Sequence, residues 1–158
     1  MGADSSEIGI LTRREIEARI AGPLIRAFAA EIGEGRALEI AQEVIVSLAR
    51  ESGEMLGRFL GDNSLEQFAR GLPLWNRDDA LSFDILESTP EKLSMNVTRC
   101  RYAEMYRELG LGDLGFTLSC GRDYAMVEGF NPKIKLERTQ TIMEGADLCD
   151  FRYALEKD

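Results

Sequence analysis

Apolar residues in the first sixty positions recur at helical spacing. Ile16, Ile20, Leu24, Ala27 and Phe28 fall three or four residues apart, the period at which side chains share one face of an α-helix. Thr12 with Glu15 three residues later reads as a capping box that opens this helix. Residues 1–11 are then a flexible tail ahead of one domain over 12–158. Gly22-Pro23 should kink or divide the helix, because proline lacks the N–H that continues the ladder. Gly33 and Gly35 end it. A second helix runs from about Arg36 to Leu60, with Leu38, Ala41, Val44, Ile45, Leu48, Leu56 and Phe59 as its apolar face. Gly61-Asp62-Asn63 stops it. Ser64 to Gln67 is another capping box, opening a short helix to about Arg70, and Leu72-Pro73-Leu74-Trp75 is an apolar loop that tucks against the core.

The period changes at Leu81. Leu81, Phe83 and Ile85 alternate with polar neighbours, and so do Leu93, Met95 and Val97. Two such runs around the turn-rich link 87–92 predict a β-hairpin with one buried face. Arg101 to Leu109 reads as a helix closed by Gly110, and Leu114 to Val127 as another closed by Gly129 and Asn131-Pro132. Ile134 to Met143 and Leu148 to Leu155 read as strands around the turn at 144–146. The fold class is therefore α+β: a helical N-terminal half packed on a small antiparallel sheet, with a ββααββ C-terminal half.

Composition narrows the chemistry. The net charge is −9 and no basic cluster occurs, which argues against nucleic acid and against an anionic membrane surface. No apolar run approaches the ~20 residues that span a bilayer. The chain has no histidine. A Ser-His-Asp or Cys-His pair and histidine-ligated zinc or haem are thereby excluded within it. Its acids and bases must be carboxylates, thiols, tyrosines or lysines. Three cysteines, Cys100, Cys120 and Cys149, are odd in number and widely spaced, and Met1 to Glu7 carry no apolar signal core. Free thiols in a reducing, cytoplasmic setting are expected.

Polar residues with chemical potential gather after residue 98. Cys100 and Glu104 are four apart on one predicted helix, and Cys120 and Asp123 are three apart on the next. Cys149 and Asp150 are adjacent on the last predicted strand, so their side chains point to opposite sides. If both helix faces meet that strand at one place, three thiols and two carboxylates converge. Each residue also has a plainer role. A free cysteine commonly acts as a small hydrophobe; Glu104 can be a solvated charge; Asp123 can pair with Arg122 or Arg99; Asp150 can satisfy a turn. Three thiolates and a carboxylate could also ligate zinc. The gaps of about 20 and 29 residues between the cysteines are unlike the close pairs of structural zinc sites.

The motifs Cys100-x3-Glu104, Cys120-x2-Asp123, Phe130-Asn131-Pro132, Arg138-Thr139-x-Thr141-Ile142 and Gly145-x3-Cys149-Asp150-Phe151 occur in that order. Together they resemble the L-2-amino-thiazoline-4-carboxylic acid hydrolase family over roughly residues 80–155. The resemblance implies hydrolytic opening of a small cyclic amidine at a carbon–nitrogen bond, without a cofactor or metal. On the residues present, Cys149 is the expected nucleophile and Glu104 or Asp123 the proton shuttle. Arg138 could hold a substrate carboxylate as a bidentate pair, and Cys100, Cys120 and Asp150 would complete the substrate site. The expected partner is a small molecule, and a homo-oligomer is compatible with the sequence. Two alternatives stay open: a small-molecule binding or sensor domain without turnover, and a metal enzyme with cysteine ligands.

Overall fold

The computed structural model describes residues 8–157; residues 1–7 of the expected tail lie outside them. α1 spans Ile10–Ile32 and α2 spans Glu34–Leu60. The first helix starts earlier than the Thr12 box implies. Its N-cap is Gly9, and no side chain caps it. Pro23 sits inside α1 without dividing it. Tertiary packing supports the helix through the lost hydrogen bond, since Ala18, Gly22 and Ile25 beside Pro23 are buried. Only Gly33 separates the two long helices. Its φ of 88° and ψ of 147° suit glycine alone.

α3 (Leu65–Gly71) opens at Ser64, whose hydroxyl accepts from the Gln67 amide. The reciprocal half of the box is replaced. Gln67 Nε2 donates to the Leu60 carbonyl, and Asp62 accepts from the Ser64 amide. Leu72–Leu74 form a 3-10 turn.

β1 (Leu81–Ser88), β2 (Lys92–Cys100), β3 (Ile134–Glu137) and β4 (Cys149–Leu155) form one antiparallel sheet in the order β1-β2-β4-β3. The expected alternation holds on β2, where Leu93, Met95 and Val97 are buried. On β1 it holds for Leu81 and Phe83, which are half-buried and alternate with exposed neighbours, and fails at Ile85, which is exposed. That strand is an edge strand, and its register to β2 shifts a second time between Ile85 and Glu87, where its side chains turn out to solvent. β3 is shorter than expected. After Glu137 the chain runs extended to a 3-10 turn at Ile142–Glu144.

α4 spans Arg101–Glu108 and α5 spans Arg122–Phe130. The helix expected from Leu114 begins instead as a π-turn over Phe116–Cys120. Gly129 does not end α5; it lies inside it, where α5 crosses α2. A Cβ on Gly129 would stand 2.0 Å from the Arg50 carbonyl oxygen, and one on Gly53 would stand 2.0 Å from that of Met126. Two glycines thus let two backbones touch. Beneath the crossing, Phe68 packs edge-on to Phe130 and tilted against Tyr153, with ring centroids 5.2 and 5.0 Å away. A second core joins α1 and α4 through Ala18, Ile25, Ala103 and Tyr106.

Candidate functional site

A cavity of about 350 Å³ lies between the sheet, α2 and α5, within the usual range for small-molecule sites. The strand register orders its lining. Val97 pairs with Cys149, Met95 with Phe151 and Leu93 with Tyr153. Cys149, Phe151 and Tyr153 alternate along β4 and all line the cavity, as do Met95 and Val97 on β2. The Cys149 end therefore gives way to an aromatic end around Phe68 and Tyr153. Trp75, Phe83, Leu56 and Met126 add to the apolar wall.

The thiol end is built by the π-turn. Widening the helix by one residue makes the Gly121 amide donate to the Phe116 carbonyl at 2.7 Å and disturbs the usual i−4 acceptors. Two arginines take up carbonyls left over. Arg122 Nε donates to Leu118 O at 2.7 Å and Arg138 Nη2 to Cys120 O at 3.0 Å. Arg138 also pairs with Asp123 Oδ2 through Nη1 at 2.5 Å. Its guanidinium lies 4.9, 5.2 and 5.9 Å from the ring centroids of Phe151, Tyr124 and Phe116. The Arg138 side chain is 1% exposed, yet among the described residues its Nε–H has no hydrogen-bond partner. A buried donor of this kind is costly unless water or a ligand satisfies it. A bidentate clamp on a substrate carboxylate is a poor description of Arg138, because both terminal nitrogens are already engaged within the protein.

Cys100, Cys120, Cys149, Asp123 and Arg138 all line this cavity. Glu104 and Asp150 are not among its lining residues. Cys100 ends β2 and precedes α4, so it does not share a helical face with Glu104. Arg99 holds Glu104 at the surface through two hydrogen bonds, 2.9 and 3.2 Å long. Asp150 faces away from Cys149 and accepts from the Thr139 amide, the Thr139 hydroxyl and the Gln140 amide. It fixes the loop that carries Arg138.

Burial dominates the electrostatics. It pushes the Cys100 thiol up to about 11, although the first amides of α4 pull it down. Burial also pushes Cys120 up, aided by the charge of Asp123. Cys149 is likewise raised by burial, and the Ile142 amide, which donates to its sulfur at 3.2 Å, acts against that rise. The Asp123 carboxyl is itself lifted by burial against the pull of Arg138. At neutral pH the three thiols are therefore protonated. Among the described residues no three Cys, Asp or Glu side chains stand close enough to hold a metal ion. The reading of the three cysteines as zinc ligands thus has no geometric support.

The apolar half of the cavity was not singled out in the sequence as a site. Its residues carry the same alternation and helical period as core residues do. Arg14 and Arg122, which meet on Glu17 Oε2 at 2.8 and 3.1 Å beside the cavity, gave no motif at all.

Solved structures that share the fold include the following two. A trafficking protein particle complex subunit 3 from Naegleria fowleri, covalently bound to palmitic acid, is 9% identical. The match covers 92% of this chain and 96% of that one, with a TM-score of 0.55. The phenol-responsive sensory domain of the transcription activator PoxR, with phenol, is 11% identical over 85% of this chain and 72% of that one, with a TM-score of 0.52. No curated protein matches the chain. The family model described as L-2-amino-thiazoline-4-carboxylic acid hydrolase matches residues 13–153, nearly the whole sequence and well beyond the C-terminal motifs. The chain belongs to the L-2-amino-thiazoline-4-carboxylic acid hydrolase family.

Proposed function

We propose that this chain is a hydrolase that opens a carbon–nitrogen bond in a small molecule held in the cavity, with Cys149 as nucleophile and Asp123 as proton shuttle. The observation that carries this reading is that Cys149, Asp123 and Arg138 line one cavity, and that the buried Arg138 Nε–H has no hydrogen-bond partner among the described residues. The Cys149 sulfur bonds to the electrophilic ring carbon as its proton passes to Asp123. The carbon–nitrogen bond breaks and the nitrogen takes that proton. Water then attacks the same carbon, Asp123 accepts a proton from it, and the sulfur leaves to regain its own. Arg138 Nε–H donates to a polar acceptor on the substrate. Asp123 takes the shuttle role in place of Glu104, which Arg99 occupies.

The lining says something about the substrate. Phe68, Trp75, Phe83, Met95 and Tyr153 form a wall larger and more apolar than a bare 2-aminothiazoline carboxylate needs. The substrate class that fits is a cyclic amidine or related ring with an apolar substituent. The two fold neighbours carry palmitic acid and phenol; at their level of identity they speak for the fold alone.

A second reading is supported by the raised thiols. With Cys100, Cys120 and Cys149 all held neutral by burial, the same cavity would bind an apolar molecule without turning it over. One experiment separates the two. The protein is incubated with a panel of 2-aminothiazolines of increasing apolar substitution, and ring-opened product is read by mass spectrometry. Binding is followed in parallel by the fluorescence of Trp75, the chain's single tryptophan. Product formed by the native chain and lost in Cys149→Ala supports hydrolysis. Binding with no product from any ring supports the sensor reading and sinks the hydrolase.

A further inference from the structure

α1 turns a row of large apolar side chains away from the core. Ile16, Ile20, Leu24, Phe28 and Ile32 are spaced by four, and α2 continues the pattern with Ile40, Val44 and Leu48. All eight are between 39% and 62% exposed. Taken together they present on the order of 700 Å² of apolar surface. That exceeds the roughly 300–600 Å² of the largest patch on a typical monomer. It approaches the roughly 800 Å² per partner of a standard protein interface. None of these eight residues lines the cavity, so ligand binding does not account for them.

We propose that this face is covered by the same face of a second copy of the chain, in a two-fold dimer. Three observations favour a second copy over a lipid surface. A row spaced by four is the ridge used in the commonest class of helix–helix packing. Leu24 is at its centre, so the ridge meets its own two-fold image with Leu24 facing Leu24, the self-complementarity that a two-fold interface requires. Several charges beside the row are paired within the chain: Arg19 with Glu15 at 2.7 Å, Arg26 with Asp113 at 2.7 Å and Arg36 with Glu39 at 2.6 Å. Charges neutralised in this way beside the row lessen the repulsion between two copies that each carry a net charge of −9. The same net charge opposes an anionic membrane.

Sedimentation equilibrium on the whole chain tests this. The native protein should have twice the chain mass. Leu24→Glu and Phe28→Glu should each raise the dissociation constant at least about thirtyfold, as loss of an interface hot spot does. Their far-UV circular dichroism should stay native, since both side chains already face solvent in one chain. Leu24→Cys should link to itself on mild oxidation, and Glu87→Cys on the exposed edge strand should not. That crosslink decides the matter even if a glutamate variant unfolds. A monomeric native chain, a dimer that survives both glutamate variants, or equal crosslinking at positions 24 and 87 overturns the proposal.

Discussion

The crossing of α2 over α5 can be tested by one methyl group. In Gly129→Ala the new Cβ would start 2.0 Å from the Arg50 carbonyl oxygen and 2.8 Å from its carbon. An ordinary contact needs about 3.5 Å or more, the separation at which non-bonded atoms attract. The atoms met are backbone, so no side chain can swing aside. The helices must part by over an ångström. Overpacking of this kind costs about 1–3 kcal/mol and occasionally more. Alanine regains up to about 1 kcal/mol of helix propensity over glycine. The net loss should be about 1–2 kcal/mol, a fall in melting temperature of roughly 3–8 °C for a domain of this size. Gly53→Ala, 2.0 Å from the Met126 carbonyl oxygen, should cost about the same. The double variant should cost less than the sum, because helices already parted have room for the second methyl. Urea unfolding of the four proteins measures all three quantities. A Gly129→Ala variant as stable as the native chain, or a strictly additive double variant, would refute the close crossing.

Three further outcomes follow from the site. Burial raises Cys100 to about 11 and Tyr106 to about 12. Their share of stability is therefore complete below the unfolded values near 9 and 10 and is lost as pH rises through the folded ones. Urea midpoints should be level from pH 7 to 8.5 and fall steeply by pH 11; a flat profile would contradict their burial. In Arg138→Met the Asp123 carboxyl loses the group that opposes its upward shift. A raised carboxyl favours the folded state below its folded pKa and loses that advantage above it, so this variant should be closer to native stability at pH 5 than at pH 7.5. An equal deficit at both pH values would show that the two side chains do not sense each other. For hydrolysis, kcat/KM should rise with pH along a limb set by Asp123 above the usual carboxylate range. Asp123→Asn should lower the rate by about a hundredfold or more, the usual contribution of a positioned base, and should remove that limb.

Legibility followed the kind of signal each residue carries. Leu93, Met95 and Val97 alternate, and β2 is where the alternation says it should be. Ser64 announces α3 because a hydroxyl cap is a local event between neighbours. The π-turn was not legible. Phe116 to Cys120 has the apolar content of an ordinary helix, and the one-residue widening is held by Arg122 and Arg138, one of them on another element. Gly129 looked like a stop because a glycine near a helix end commonly is one; its real partner, Arg50, is distant in sequence. Cys120, Asp123, Arg138 and Cys149 were singled out together and do line one cavity. Glu104 was singled out with them on an assumed helical face. That face does not exist, because Cys100 belongs to the end of a strand.

The missing histidine shapes any chemistry at Cys149. A Cys–His pair can rest as thiolate and imidazolium, because the two pKa values lie close. A thiol and a carboxylate differ by about 5 units at their ordinary values, which makes transfer of the proton uphill by about 7 kcal/mol. Burial in this cavity moves Cys149 and Asp123 in the same direction, so burial alone does not bring them together. Two local contacts act on the gap in opposite senses. The Ile142 amide stabilises negative charge on the Cys149 sulfur and narrows the gap, whereas Arg138 draws the Asp123 carboxyl down and widens it. Proton transfer then becomes favourable only as the sulfur bonds to an electrophile and the charge leaves it. A nucleophile of this type is quiet until a ring with an activated carbon is seated. On the proposed hydrolytic reading, thiols that burial keeps protonated are compatible with turnover, and the choice of electrophile, rather than of pH, is the decisive variable in the search for a substrate.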